Sequence, residues 1–231
     1  MLNIILADSA LEPIPSRLLS EPIILKHAKR VGKALGDLIL DVSLHHKLLK
    51  KLKNSEKRGR PDIIHQCLLL ALNSVLNKAG LLSIYVHTIN DKIIKIKPEI
   101  RMIRNYNRFI GVMEQLFKYG QVPPKGEYLM KIEEISLRGL VSSLKGKERV
   151  ILTENGKPEL LSNIFKRAGM GYSYVIIIGG FPRGNFSQEI LKLADKKVKI
   201  DPEPLDSVVV LSKVINYYEY AINLDEKRLG L

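Results

Sequence analysis

Short runs of apolar residues alternate along the chain with longer segments in which apolar residues recur every three or four positions. Four of the short runs, 3–7, 38–42, 149–153 and 174–179, consist almost entirely of apolar residues. Such continuity is typical of strands that are buried on both faces of a sheet. The complete set of predicted strands comprises residues 3–7, 38–42, 81–88, 92–96, 149–153, 174–179 and 197–200.

Between the predicted strands, amphipathic periodicity indicates five helices. Pro158 at the start of one of them and Gly169 just past its end follow the usual preferences at helix termini. Asn90-Asp91 predicts a hairpin turn between the third and fourth strands, and 120–126 is interpreted as a surface loop. The alternation predicts an α/β fold with a mainly parallel sheet. The predicted helices span residues 63–78, 108–118, 158–168, 187–194 and 206–222.

Positive charge is concentrated in two stretches of this 231-residue chain, whose formal net charge is +13. His45–His65 holds seven basic residues against two acidic ones, and Lys92–Arg108 holds six against one. Clustered cations suit a polyanion such as RNA, since each neutralised phosphate releases counterions. A solvated basic face is an equally good interpretation of charge alone.

The rest of the composition excludes several classes of protein. The single cysteine, Cys67, lies in an apolar run, so no disulfide framework exists and nothing indicates secretion. The N-terminal segment MLNIILAD is too short and too soon acidic for a signal peptide. The longest uncharged stretch, 63–77, is too short to span a bilayer. We therefore expect a cytoplasmic protein with no membrane partner, and we assign no metal site.

Residues 57–62, KRGRPD, contain one cation that ordinary helix chemistry does not explain. Pro61 suits the first position of a helix, and Asp62 would lie in the first turn, where the helix dipole favours a carboxylate. The same dipole disfavours the guanidinium of Arg60. A different role is needed for this arginine.

Ligands of open α/β sheets bind beyond the carboxyl ends of the strands. That rule points to the segments after the strands 149–153, 174–179 and 197–200. The second segment, GGFPRGNFS at 179–187, permits close backbone approach but matches neither a P-loop nor the dinucleotide fingerprint; alone, it is most often a turn. The third, IDPEPLDSVV at 200–209, is stiffened by two prolines. Two rigid loops side by side would form a slot for a flat apolar ring that is recognised by backbone hydrogen bonds.

Six motifs follow one another along the chain: LADSALE (6–12), LDVSLHH (40–46), RGRPDIIH (58–65), PEIRMIRNYNRFIGVMEQL (98–116), IIGGFPRG (177–184) and PEPLDSVVVLSKV (202–214). With these motifs in this order, the sequence resembles the pseudouridine-specific methyltransferases of small-subunit ribosomal RNA. They are the ribosome-biogenesis branch of the knotted SPOUT class, and the chain is similar to their short, archaeal-type form. The resemblance covers nearly the whole chain.

The resemblance implies one SPOUT domain over residues 1–231, with helices on both faces of its sheet and a C-terminal trefoil knot in the cofactor-binding part, about 149–224. It also implies S-adenosylmethionine as the methyl donor, methylation at nitrogen-1 of a pseudouridine, a role in small-subunit assembly, and a homodimer packed through the knotted regions. The apolar helix 206–222 would serve either that interface or the core, and its composition leaves both possibilities open.

Motif by motif, the resemblance places the methyl donor against the glycine and proline loops. Asn185 departs from the family pattern, which often has Lys or Asp there, so only backbone contacts carry over at this position. For Asp201 and Glu203 we favour exposed side chains, with the backbone nearby contacting the donor. The implied contacts are Thr153, Gly179, Gly184, Asn185, Phe186, Ile200, Asp201, Pro202, Glu203, Pro204 and Leu205.

The implied reaction gives Arg60 a role. As nitrogen-1 of the base loses its proton, negative charge spreads to the neighbouring carbonyl oxygens, and a fixed cation there would contribute roughly 3 kcal/mol. Arg60 is the candidate, in contact with the RNA base, and Asp62 would orient its guanidinium through a charge-assisted hydrogen bond. We identify no convincing general base, since His45, His46 and His65 are more simply explained as helix-surface or core residues.

The second basic stretch supplies the remaining candidates for RNA binding. The resemblance assigns Arg101, Arg104 and Arg108 to RNA, and their spacing places them on one face if this segment is helical. Phe109 has the spacing of a core residue, whereas Tyr106 would pack or, less commonly, stack on a base. The lysines of 47–57 suit non-specific attraction.

Two other functions remain as alternatives. A non-catalytic assembly factor that binds small-subunit RNA would keep the basic stretches without needing the glycine and proline loops. A methyltransferase for small molecules or proteins is disfavoured by the two cationic stretches.

Overall fold

The computed structural model of the protein describes residues 1–144 and 148–231, and within them eight strands form one sheet. The order across the sheet is β4-β5-β3-β2-β1-β7-β6-β8. The strands are β1 (Leu2–Ser9), β2 (Leu82–Thr88), β3 (Ile93–Ile96), β4 (Gln121–Val122), β5 (Met130–Glu133), β6 (Glu148–Pro158), β7 (Tyr174–Gly179) and β8 (Lys196–Lys199).

The centre of the sheet and one of its edges are parallel. β1 pairs in parallel with both β2 and β7, and β6 continues the parallel order to β7 and β8. The remaining neighbours, β2 with β3, β3 with β5, and β5 with β4, are antiparallel. The prediction of an α/β fold with a mainly parallel sheet is therefore confirmed.

Helices cover both faces of the sheet, and β1 shows why its residues 4–7 are all apolar. Ile4 faces a core that is shared with α3, α5 and α9, whereas Ile5 faces a second core that is shared with α6 and α8. Burying one such side chain contributes about 1.5–3 kcal/mol, so both faces of the strand favour apolar residues. The helices are α1 (Pro22–Val31), α2 (Val42–Leu49), α3 (Pro61–Asn73), α4 (Val75–Lys78), α5 (Tyr106–Tyr119), α6 (Leu137–Ser143), α7 (Leu161–Ile164), α8 (Gln188–Leu191), α9 (Ser207–Ala221) and α10 (Leu224–Leu229).

The predicted strand 38–42 is wrong. Ile39 forms only an isolated bridge with Pro13, and Leu38 and Leu40 are buried in a third core beside α1 and α2. The run is apolar because it packs inside this separate cluster, which we call the α1–α2 lobe. Asp41 then caps α2, since its carboxylate accepts a hydrogen bond from the backbone N–H of Ser43 at 2.8 Å.

Other boundaries differ from the sequence prediction for local reasons. Pro158 ends β6 instead of starting a helix, because a strand end tolerates the missing N–H. The predicted helix 158–168 is reduced to α7 and a 3-10 turn, Phe165–Arg167, although Gly169 follows it with φ +82. The segment 120–126 contains β4, which pairs with the unpredicted β5.

The hairpin between β2 and β3 is confirmed, with Asp91 in the left-handed region at φ 55. The helix predicted at 206–222 is confirmed as α9. Leu211, Val214 and Tyr218 on α9 are buried in the core, whereas Val209 is exposed, so most of its apolar residues serve the core.

Candidate active site

The loops that follow β7 and β8 face each other across a cavity of about 500 Å³. Every residue for which the sequence implied a contact with the methyl donor lines this cavity except Pro202. Their assignment to a ligand remains a prediction, but the structure does bring them together at the carboxyl edge of the sheet. The cavity is also lined by residues that were not predicted: Leu152, Glu154, Ile178, Phe181, Pro182, Arg183, Lys199, Asp206, Ser207 and Val210.

Short contacts hold the two loops at the edge of the sheet. The hydroxyl of Ser207, at the start of α9, donates to the carbonyl of Gly179 at 2.6 Å and so joins the two loops. A side chain at Gly180 would place its Cβ 2.3 Å from the hydroxyl oxygen of Ser9, so only glycine fits there. The rings of Phe181 and Phe186 meet edge to face at 5.3 Å between centroids and form an apolar wall.

The third side of the cavity comes from an irregularity within β6. Val198 on β8 pairs with both Leu152 and Lys157, so the residues between them leave the regular register. The loop that was predicted after 149–153 is therefore a bulge inside a longer strand. Thr153 lines the cavity from this bulge, and Asn155 donates a hydrogen bond to the side chain of Asn185 at 3.0 Å. This contact occupies the Asn185 side chain, which the sequence left without a role.

Arg60 and Asp62 form the pair that the sequence predicted. Arg60 is the N-cap residue of α3, with Pro61 at the first helical position. Its Nε and Nη2 donate to the two oxygens of Asp62, each at 2.8 Å. The bidentate hydrogen bond raises the pKa of Arg60 above its ordinary value. The side chain of Arg60 remains 40% exposed, so the guanidinium is fixed in direction and still open to a ligand.

Two neighbours connect Arg60 to the rest of the site. Asp206, which lines the cavity at the N-cap of α9, raises the pKa of Arg60 electrostatically, after the larger contribution of Asp62. Tyr106, the first residue of α5, acts in the same direction. Arg60 therefore lies within electrostatic reach of the cavity rim and of the helix that carries Arg108.

Tyr106 belongs to a partly buried hydrogen-bond chain. Its hydroxyl donates to the carboxylate of Asp41, and burial followed by this hydrogen bond raises the pKa of Tyr106. The backbone N–H of Asp41 donates to Nδ1 of His45 at 3.1 Å, and the other ring nitrogen of His45 lies 3.0 Å from Nδ1 of His27. Burial lowers the pKa of His45 to about 4, so the ring is neutral at pH 7 and cannot act as a cation.

Two further aromatic predictions are confirmed. His65 is buried and stacks on Phe109 with 4.3 Å between ring centroids, and its Nε2 lies 2.6 Å from the carbonyl oxygen of Ile103. Phe109 is a core residue of α5. Both histidines of the basic stretch that lie inside the fold, His45 and His65, therefore have structural partners.

Arg101, Arg104 and Arg108 are all exposed, and none of the described residues forms an ion pair with their side chains. They do not lie on one helical face, because α5 begins only at Tyr106. The helix starts there since the side chain of Asn105 accepts a hydrogen bond from the N–H of Arg108 at 3.0 Å. Arg101 and Arg104 instead line a groove of about 600 Å³ beside the end of α3.

Two kinds of structural feature were not found in the described part of the chain, residues 1–144 and 148–231. No helix there is long and apolar enough to cross a membrane. No group of three or more His, Cys, Asp or Glu side chains there is arranged to hold a metal ion.

The mainly parallel sheet and the two facing loops at its carboxyl edge define an α/β protein with a cavity between those loops. A model of the EMG1/NEP1 methyltransferase family matches residues 4–219, so the chain belongs to this family.

Relatives match along almost the whole chain. The ribosomal RNA small subunit methyltransferase Nep1 of Staphylothermus marinus is 45% identical over 224 residues, which cover 96% of this chain and 97% of that protein. The protein of the same name from Thermococcus onnurineus is 44% identical over 223 residues, which cover 95% and 99%. The crystal structure of Archaeoglobus fulgidus Nep1 bound to S-adenosylhomocysteine matches with a TM-score of 0.85 and 35% identity, over 96% of this chain and 98% of that one.

Proposed function

We propose that this chain transfers the methyl group of S-adenosylmethionine to nitrogen-1 of a pseudouridine in small-subunit ribosomal RNA. Membership of the EMG1/NEP1 family and the names of the relatives support the methylation of small-subunit RNA. The observation that carries the base-directed part is the Arg60–Asp62 pair, which lies within electrostatic reach of the cavity rim and remains open to solvent.

The cavity fits a methyl donor with a flat apolar base and a charged amino-acid end. Its volume of about 500 Å³ is in the range of small-molecule sites. Phe181, Phe186 and Leu205 provide apolar walls, whereas Gly179 and the stiffened segment 200–205 present backbone groups. The S-adenosylhomocysteine bound by the Archaeoglobus fulgidus relative is the demethylated form of this donor and supports the assignment.

The reaction breaks the bond from sulfur to methyl carbon and forms a bond from nitrogen-1 to the same carbon. The proton leaves nitrogen-1 for solvent, and the sulfonium becomes a neutral thioether. Arg60 stabilises the negative charge on the carbonyl oxygens of the base as this proton departs, and such a contribution is typically about 3 kcal/mol. Asp62 holds the guanidinium in place and is not the proton acceptor.

RNA binds across the exposed arginines of the second basic stretch. Arg101, Arg104 and Arg108 present guanidinium groups without competing carboxylate partners in the described residues. Arginine bonds to phosphates through two donors and stacks on unpaired bases, so such groups suit a single-stranded RNA loop. The target base then reaches Arg60 past the start of α5.

The remaining features of the proposal concern assembly and topology. The whole chain, 1–231, forms one domain whose C-terminal part, about 149–224, is tied as a trefoil knot. Two copies pack through the knotted parts, with the exposed Val209 and Tyr217 of α9 available for that interface. The protein acts in the cytoplasm during assembly of the small ribosomal subunit.

Methyl transfer to matched RNA hairpins tests the proposal. A small-subunit hairpin with one pseudouridine should accept one methyl group, whereas the same hairpin with uridine should accept none. Equal methylation of both hairpins would contradict the specificity for pseudouridine.

Calorimetry with S-adenosylmethionine provides the second measurement. Binding at micromolar concentrations supports the enzyme. Retained RNA binding without detectable donor binding at millimolar concentration would instead identify a non-catalytic assembly factor.

A further inference from the structure

Residues 7–12, which comprise the end of β1 and the residues that follow it, contain two carboxylates for which the reaction gives no role. We call this segment the β1 exit. Glu12 is fully buried, and its two oxygens accept hydrogen bonds from Nε of Arg58, at 2.7 Å, and from Nη2. Asp8 accepts from the ammonium of Lys57 at 2.8 Å, and Lys57 is itself buried. Two successive cations just before Arg60 are thus bound to the β1 exit.

Because these ion pairs are buried, we expect them to contribute little to the stability of the fold. Desolvating two charges offsets most of their attraction, so a buried pair stabilises little compared with apolar side chains of the same size. Such a pair does fix geometry, because breaking it leaves an uncompensated buried charge. The bidentate contact between Arg58 and Glu12 also sets the orientation of the guanidinium plane.

Gly59, which connects these ion pairs to Arg60, is itself held in place. The carbonyl of Gly59 accepts a hydrogen bond from the N–H of Val42 at 2.8 Å. Gly59 has φ +71, and a Cβ there would lie 3.3 Å from the nitrogen of Val42. Lys57, Arg58, Gly59 and Arg60 are therefore each held by a separate contact, and Arg60 follows directly from the fixed residues.

The opposite side of the β1 exit is joined to the glycine loop of the cavity. Gly180 donates its N–H to the carbonyl of Ala7 and accepts the N–H of Ala10, both at 2.8 Å. The ammonium of Lys57 also lies 4.6 Å from the ring centroid of Phe181, which lines the cavity. The β1 exit thus contacts both the cavity wall and the segment that carries Arg60.

We propose that Glu12, with Asp8, is a positioning residue that holds Arg60 at a fixed place relative to the cofactor cavity. The inference rests on the proposed function for its consequence in methyl transfer. Glu12 touches no reacting atom: it acts through Arg58 and the rigid Gly59. A change at Glu12 should therefore slow methyl transfer through misplacement of Arg60 and leave RNA binding at Arg101, Arg104 and Arg108 intact.

The test variant is Glu12→Gln, which keeps the side-chain shape and removes the charge. Asp195→Asn is the matched control, because Arg149 binds Asp195 through two nitrogens at 3.1 and 2.8 Å, at the other end of the strands. At saturating RNA and donor, and well below the melting temperature, Glu12→Gln should lower the single-turnover rate at least about tenfold. RNA affinity should stay within about twofold, and the control should change neither.

A double-mutant cycle separates positioning from general loosening of the fold. If Glu12 acts through Arg60, its substitution should cost almost nothing further in an Arg60→Ala background. If Glu12→Gln lowers the single-turnover rate by the same factor in the wild-type and Arg60→Ala backgrounds, the inference is overturned. If Glu12→Gln does not fold, Arg58→Lys replaces it in the cycle, because lysine keeps the charge and loses the bidentate contact.

Hydrogen exchange gives a readout that does not depend on activity. The amide of Val42, which donates to Gly59, should exchange at least about tenfold faster in Glu12→Gln and unchanged in Asp195→Asn. Unchanged exchange in both variants would also overturn the inference. An inactive wild-type protein would contradict the proposed function alone, since the exchange experiment still decides the role of Glu12.

Discussion

The two basic stretches carry the same net charge in the sequence, and the structure uses them in opposite ways. In His45–His65 the residues nearest the cavity are held by carboxylates: Lys57 by Asp8, Arg58 by Glu12 and Arg60 by Asp62. In Lys92–Arg108 the lysines have carboxylate partners, whereas the described residues offer none to the arginines. Beside the cavity the first stretch presents fixed cations, whereas the second stretch presents three free arginines.

This difference separates two functions, transition-state stabilisation and RNA affinity, that a count of charges cannot tell apart. A fixed cation costs no reorganisation when charge develops on a substrate, which is the requirement for stabilising a transition state. A free cation can adapt to a phosphate backbone and release counterions, which is the requirement for affinity. The comparison therefore assigns chemistry to Arg60 and affinity to Arg101, Arg104 and Arg108, and each assignment can be tested separately.

The largest expected effect is on the methylation rate and comes from the fixed cation Arg60. Arg60→Ala should lower the single-turnover rate of methylation about 100-fold, since one oriented charge contributes roughly 3 kcal/mol. The affinity for the RNA hairpin should fall no more than about threefold, in line with one exposed contact. Rates at saturating RNA, with affinities from fluorescence anisotropy, measure both. An equal loss of RNA affinity in Arg60→Ala and Arg104→Ala would remove the distinction between the stretches.

The first basic stretch also contains His45, one of the groups that should make the free energy of unfolding depend on pH. Burial lowers the pKa of His45 to about 4, with a further contribution from His27, against a partial opposing effect of Asp41. The unfolded chain takes up this proton first, so the stabilisation is complete above the ordinary pKa near 6.5 and is lost as the pH falls towards 4. By pH 5 the free energy of unfolding should have fallen by about 2 kcal/mol because of His45.

Urea unfolding between pH 7 and pH 5 measures this loss. His45→Asn keeps an acceptor for the N–H of Asp41 and should flatten the dependence on pH. The exposed His46 supplies the matched control, and His46→Asn should retain the slope of the wild type. The same flattening in both variants would show that the slope does not come from His45.

The sequence predicted the centre of the fold because local composition decides it. β1 and β7 are buried on both faces, so most of their residues are apolar. The error at 38–42 arose because the core of the α1–α2 lobe demands the same composition as a buried strand. An apolar run indicates that its residues are buried, but it does not indicate whether they form a strand, a helix or a loop.

Within the site, the sequence predicted which loops line the cavity, but it predicted side-chain pairs only between residues close along the chain. Arg60 and Asp62 are two positions apart, so their pairing could be predicted. The partners Glu12 and Arg58 are separated by 46 positions, and Asp41 and Tyr106 by 65, so only the folded chain brings them together. The helical face inferred for the three arginines failed because Asn105 caps α5 after Arg104.

A smaller effect, on RNA affinity, is expected from the free arginines of the second stretch. Arg104→Ala should weaken RNA binding at each salt concentration below physiological, by about 1 kcal/mol, with an unchanged methylation rate at saturating RNA. The slope of log affinity against log salt should fall by about 0.7 if one phosphate contact is lost. A titration series in potassium chloride measures both quantities. An unchanged salt slope would indicate that Arg104 stacks on a base instead of binding a phosphate.

The smallest effect concerns the lysines of the first stretch that have no carboxylate partner. Lys47, Lys50 and Lys53 are exposed on the α1–α2 lobe, and no described residue forms an ion pair with them. Changing all three to glutamine should weaken RNA binding less than about threefold at low salt, because diffuse surface charge is screened within about 8 Å at physiological ionic strength. The methylation rate at saturating RNA should not change.

The matched control removes three exposed lysines elsewhere, Lys192, Lys197 and Lys227, and lowers the net charge by the same amount. An equal small loss in both triple variants means that these lysines act through net charge alone, which is the outcome we expect. A loss confined to the lobe variant, and persisting at high salt, would mean that the lobe contacts RNA directly. The first stretch would then contribute affinity as well as chemistry, and the division between fixed and free cations would have to be drawn within it, between Lys53 and Lys57.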